Sequence, residues 1–244
     1  KKLRSMKQVF LSFLALSLLL FSCEKKGCVD PDASNYSGNA TIDDGTCQYY
    51  VFDVNLNTYK YKSICNGVWT VQNLRVTKYK NGDPIPQVQD AAEWHLLTTG
   101  AWCYYNNDPA NGAIYGKLYN WYAVNDARGL APVGYHIPSE AEWTILLDYL
   151  GGEQVAGKKM KSKKGWGEVT KGTNSSGFSG LPGGSRDFSG WFEGSGRFYL
   201  GNWWSSTEYT KFKSIRCTVN WYDDDAKILI KSNSEGLSVR CIKD

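Results

Sequence analysis

The chain has 244 residues, enough for one large domain or for one domain with a small module beside it. Aromatics make up 14% of it, with 10 Trp and 16 Tyr set among 25 Gly, which favours short strands joined by many turns over a helical bundle. The formal net charge is +4, but Lys1, Lys2, Arg4 and Lys7 all precede Cys23 with no acid among them, so the remainder is near neutral and gives no bulk signal for a nucleic-acid partner.

In chain order, a basic start is followed by the apolar run at residues 9–21 and a small residue, Ser22. That run is too short for a comfortable membrane span, and residues 1–22 read as a signal peptide. The ending Leu19-Leu20-Phe21-Ser22-Cys23 resembles a bacterial lipobox, which implies cleavage before Cys23 and lipid on that residue. Residues 23–49 are then a lipidated tether followed by a spacer. From Gly27 to Tyr49 the chain is rich in Asp, Asn, Gly and Ser and almost empty of aliphatics, so it cannot build a core of its own. A Cys28–Cys47 bridge would close it, contributing about 3 kcal/mol on loop-entropy grounds. The pattern resembles the short cysteine-bounded, Asp-rich repeat of exported Bacteroidota proteins. Asp30, Asp32, Asp43 and Asp44 are candidate oxygen ligands for a structural calcium, although the spacing of an EF-hand loop is absent. Setting Cys23 aside leaves six cysteines, an even number that suits disulfides in an exported chain. Zinc has little support, with no CxxC and only His95 and His136.

From Tyr50 to Asp244 the composition changes to that of a folded domain. The segment 49–61 alternates apolar and polar residues and predicts one or two strands, and 67–76 predicts another. Residues 115–126 predict a helix with Leu118, Trp121 and Tyr122 on one face. The best-marked helix follows Ser139. Glu142 lies three residues on, completing a capping box, and Trp143, Leu146, Leu147 and Leu150 form an apolar stripe that stops at Gly151-Gly152. The basic run 158–168 predicts a solvated loop. Strands are expected at 202–206, 214–221, 226–231 and 237–242, separated by Gly-rich turns. In "NWWSS", alternation sends Trp203 and Trp204 to opposite faces of a strand.

The segments "AWCYYNND" (101–108), "YGKLYNWYAVND" (115–126), "LAPVGYHIPSEAEW" (130–143), "GFSGLPGGSRDFSG" (177–190), "GNWWSSTEY" (201–209) and "EGLSVRCIKD" (235–244) occur in this order. Together they resemble the Fibrobacter succinogenes major paralogous domain family of exported and lipid-anchored proteins, from about Gly67 to Asp244. The resemblance implies an α+β, C-type-lectin-like domain related to formylglycine-generating enzymes, with two main helices, small antiparallel sheets and a long loop-rich region carrying the ligand face. It also implies pairing of Cys103 with Cys241. Cys65 and Cys217, outside the family's common pattern, are then expected to pair with each other.

Enzyme readings find little to stand on. The spacing and surroundings of Cys217 and Cys241 do not match the copper-binding cysteines of formylglycine-generating enzymes, and neither G-x-S-x-G nor H-E-x-x-H occurs. His136 reads as a packing or hydrogen-bonding group at the helix entry. The Glu-Pro-Asn and Trp-Asn-Asp triplets of calcium-dependent lectins are also missing. Aromatic side chains in Gly-rich loops offer rigid, amphipathic contact area, and Phe188, Trp191, Phe192, Tyr199, Trp221 and Tyr222 are the candidate ligand-binding residues. The expectation is a non-enzymatic binding module with no cofactor beyond the candidate calcium. It would be held to the outer membrane by the Cys23 lipid, facing the cell surface and binding a glycan or protein. The alternative is a structural subunit of a membrane protein complex or appendage.

Overall fold

A computed structural model describes residues 24–167, 172–193 and 200–244. The chain divides into two compact units, the first ending at Tyr49 and the second running from Tyr50 to Asp244. Cys23 and Tyr199 lie outside the described residues.

In the first unit, Lys26–Gly27 pairs in parallel with Ile42–Asp43, and Cys28 is bonded to Cys47. The four aspartates do not gather round one point. Asp30 accepts from the Asp32 amide at 2.9 Å and the Tyr49 hydroxyl at 2.5 Å. Asp43 accepts from the Gly45 amide, and Asp44 from the Thr46 amide and hydroxyl. Short polar side chains close their own turns in this way. Among the described residues no group of three or more His, Cys, Asp or Glu is placed to hold a metal ion, so the calcium set expected from composition is not formed.

The second unit mixes helices with small sheets. One sheet runs in the order Tyr50–Phe52, Thr58–Ile64, Gly67–Thr70, Ile242–Lys243, Tyr135–His136, so the last strand lies between two early ones. A second sheet is the antiparallel meander Leu200–Thr210, Lys213–Asn220, Ala226–Ser232. Short ribbons join Trp102–Cys103 to Leu118–Tyr119 and Ser185–Arg186 to Phe192–Glu193.

The core is organised by the tryptophan pair, and both residues are fully buried. Trp204 packs with Tyr59, Tyr119, Trp121 and Val239, and its indole N–H donates to the Tyr119 carbonyl at 2.8 Å. Trp203 packs with Trp69, Trp143, Phe178 and Cys217, and donates to Asn73 Oδ1 at 2.8 Å. A strand sends consecutive side chains to opposite faces, so this one strand serves two aromatic clusters. Each indole also finds the hydrogen-bond partner its buried N–H requires.

The helix Glu140–Tyr149 has its full capping box, and Trp143, Leu146 and Leu147 are buried as the stripe predicts. Elsewhere the structure corrects the sequence reading. Residues 115–126 are not one helix. Gly116 has φ +79°, and a Cβ there would stand 2.9 Å from the Leu74 carbonyl oxygen, so the helix Pro109–Tyr115 ends at this point. Leu118–Tyr119 then pairs as a strand, and Asn120 caps the short helix Trp121–Val124. The second well-formed helix is Glu153–Met160. The basic run 158–168 is not simply a solvated loop: its first three residues end this helix, and Lys161 is fully buried, donating to the carbonyls of Asn220 and Asp223 at 3.1 and 2.6 Å. The strand expected at 67–76 ends at Thr70, and that expected at 237–242 keeps only Ile242.

Cys65, Cys103, Cys217 and Cys241 are free thiols, so neither Cys103–Cys241 nor Cys65–Cys217 is formed. Cys103 is packed with Trp94 and Leu118, Cys241 with Tyr119 and Val239, and Cys217 with Trp143 and Trp203. Cys65 sits at the turn between Thr58–Ile64 and Gly67–Thr70. Separate clusters hold Cys103, Cys217 and Cys241, and Cys65 lies outside all three, whereas a disulfide needs two facing Cβ atoms within bonding reach.

Candidate functional site

The six aromatic candidates divide between two loops and one position outside the described residues, Tyr199. The first loop joins Ser185–Arg186 to Phe192–Glu193. Arg186 is fully buried beneath it. Its guanidinium donates to the carbonyls of Gly190, Val88 and Gln89 at 2.7–2.8 Å and stacks on Trp94 and Phe192. A planar five-donor fork can hold three carbonyls on two backbone segments in this way, where a lysine could not. Asp187 Oδ1 accepts from the amides of Ser189 and Trp191, both at 2.9 Å. Gly190 has φ +85°, and a Cβ there would lie 2.4 Å from the Ala91 carbonyl oxygen. Backbone and side-chain bonds therefore hold the loop in one shape against the helix Ala91–His95.

From this platform Phe188 and Trp191 project, 53% and 69% exposed. His95, itself exposed, bonds through Nδ1 to the Phe188 carbonyl at 3.1 Å. Phe192 turns inward, half-buried against Tyr105, and reads as loop support. On the second loop, Trp221 is half-buried against the Trp203 cluster while Tyr222 is 58% exposed, its ring perpendicular to that of Trp221 at 6.1 Å. The neighbouring acids are engaged. Asp224 pairs with Lys158 and Asp225 with Lys227, and the Asp223 carboxylate accepts from the Asp225 amide and the Asn220 side chain. This loop rests on the helix Glu153–Met160, the first on Ala91–His95.

When protonated, His136 donates to Asp244 at 2.7 Å and to Glu142 at 2.8 Å. Burial opposes its charge, but the two carboxylates outweigh burial and raise its pKa. Burial pushes the Cys103 and Cys241 thiols up to about 12 and that of Cys217 higher still, which leaves them inert. Sequence reasoning missed Arg186 and Arg240, both fully buried. Their signal in the sequence was slight, since most arginines lie at surfaces.

The model of the Fibrobacter succinogenes major domain matches residues 63–243. The chain belongs to that family. No curated protein and no solved structure matches it. Within this Fibrobacter succinogenes major domain, the family-like segments fall largely on framework. "GNWWSSTEY" supplies the strand between the two aromatic clusters, "IPSEAEW" the capped helix entry, and "VRCI" the buried Arg240 and the strand that closes the first sheet.

Proposed function

We propose that this is a binding module whose contact surface is the aromatic loop around Phe188 and Trp191. The observation that carries the reading is that two large aromatics are left more than half exposed on a loop bolted by a buried arginine. Exposing such rings costs apolar hydration, and a rigid loop loses little entropy on binding, so affinity is gained by preorganisation. The ligand is a glycan or protein at the cell surface, and the lipid on Cys23 tethers the molecule to the outer membrane. The C-type-lectin-like form of the fold is supported by the sheet in which Ile242–Lys243 lies between Gly67–Thr70 and Tyr135–His136, joining the two ends of the domain.

Two measurements test this. Cys23→Ser should abolish incorporation of a labelled fatty acid into the protein. Wild type and Phe188→Ala/Trp191→Ala should then be compared on a glycan array and against proteins co-purified from solubilised membrane. Loss of each hot-spot aromatic should weaken binding roughly 30-fold, while the unfolding free energy stays within about 0.5 kcal/mol of wild type because both side chains are exposed. Undiminished binding by the double variant would remove the loop from the site. A stoichiometric membrane partner whose binding survives the double variant would favour the structural-subunit reading.

A further inference from the structure

The hairpin between the strands Leu200–Thr210 and Lys213–Asn220 turns through Lys211 and Phe212 alone, with Thr210 paired to Lys213. All six residues from Glu208 to Lys213 are exposed, and Phe212 and Tyr209 are exposed to 66% and 59%. The tip is nonetheless firmly built. Asn233, which is buried, donates its amide to the Phe212 carbonyl at 2.9 Å and its side chain to the Lys211 carbonyl at 3.2 Å, and accepts from the Ser214 hydroxyl at 2.7 Å.

The tip carries two lysines and one acid. The exposed Lys158, and the part-buried Lys227 and Lys231, are held by Asp224, Asp225 and Glu235 at 3.1, 2.9 and 3.0 Å. Lys211 and Lys213 have no ion pair among the described residues. Lys211 Nζ stands 5.4 Å from the Phe212 ring, so cation and ring are presented together. Glu208 is the tip's one acid, leaving it net positive.

We propose that this hairpin tip is a contact for an anionic lipid surface, with Phe212 and Tyr209 entering the interface and Lys211 and Lys213 meeting phosphate headgroups. Shape and charge select this partner. A convex tip encloses no small ligand and buries its rings well only in a medium that yields around it. Aromatic rings settle at the depth of the headgroups, and lysines can extend their stems along apolar surface while the ammonium groups stay among the phosphates. Each such lysine adds about 1 kcal/mol on an anionic surface. The inference goes beyond the aromatic-loop reading and needs neither that loop nor the Cys23 lipid.

The test uses the mature chain from residue 23, carrying Cys23→Ser and Cys65→Ser, whose remaining free thiols are fully buried. Thr210→Cys, or Val133→Cys as an exposed control on the loop before Tyr135–His136, then carries an environment-sensitive dye. Vesicles containing phosphatidylglycerol should blue-shift the dye at position 210 and leave it unchanged at 133. Phe212→Ser should abolish the shift. Each of Lys211→Gln and Lys213→Gln should raise the lipid concentration at half-response roughly fivefold. An equal response at both positions, an equal response to neutral phosphatidylcholine, or a response to a soluble anionic polysaccharide but not to vesicles would each overturn the proposal. Glycan binding through Trp191 is unaffected by any of these outcomes.

Discussion

Arg240 shows how much one residue carries. It is fully buried, lies over the Phe178 ring at 4.5 Å, and donates to Asn73 Oδ1 and to the carbonyls of Thr70, Phe178 and Ser179. Arg240→Ala should cost about 3–5 kcal/mol in denaturant unfolding, because four acceptors would lose their shared donor. Arg240→Lys should not restore it, since an ammonium cannot reproduce the planar fork. His136 provides a pH signature. Its pKa is raised in the fold, so its contribution is complete below its ordinary 6.5 and is lost as pH rises through the folded value. Glu142 is held lower: burial alone would raise it, but hydrogen bonds from Ser139 and His136 prevail, so its contribution is complete above 4.5 and lost as pH falls. The clamp is therefore strongest between pH 4.5 and 6.5. Wild type should lose more of its unfolding free energy between pH 6 and 9 than His136→Ala does, by under about 1 kcal/mol because these side chains are solvent-screened.

Among the elements, the helix Glu140–Tyr149 is specified locally and its neighbour Glu153–Met160 is specified by packing. Ser139 Oγ accepts from the Glu142 amide at 3.3 Å, and Glu142 Oε2 accepts from the Ser139 amide at 2.8 Å. Ser139→Ala should lower stability by about 1 kcal/mol, seen as a shift in the unfolding midpoint at unchanged slope. Gly157 in the second helix lies against the turn of the last hairpin, where a Cβ would stand 2.1 Å from the Asp225 carbonyl oxygen. Alanine is the better helix former, yet Gly157→Ala should destabilise by about 1–3 kcal/mol, because the helix would have to move off that turn. A stabilised variant would show that the two elements are not in close contact.

At the scale of the whole molecule, Trp203 and Trp204 join the two larger aromatic clusters through one strand. Trp203→Ala and Trp204→Ala should each cost about 3–5 kcal/mol. Because one backbone carries both side chains, thermal unfolding of the second unit should remain a single transition in either variant, whether followed by near-UV or far-UV circular dichroism. Two separated transitions would mean that the clusters fold independently.

The amino-acid sequence by itself determined the features that depend on neighbours a few residues away. These include the capped helix, with its Ser139–Glu142 box and apolar stripe, and the opposite facing of two adjacent tryptophans. The residues that make the family recognisable were legible in the same way. Tertiary structure alone decided the rest, because the partners are remote in sequence. Arg240 meets Asn73 across 167 positions and Arg186 meets Val88 across 98, and no local pattern marks such a cation for burial. The same distances decided that Phe192 and Trp221 turn inward while Phe188, Trp191 and Tyr222 stay out. They also put Cys103, Cys217 and Cys241 in different clusters. Whether an aromatic or a thiol is available to a partner depends on which remote segment covers it, and that is settled only when the chain closes on itself.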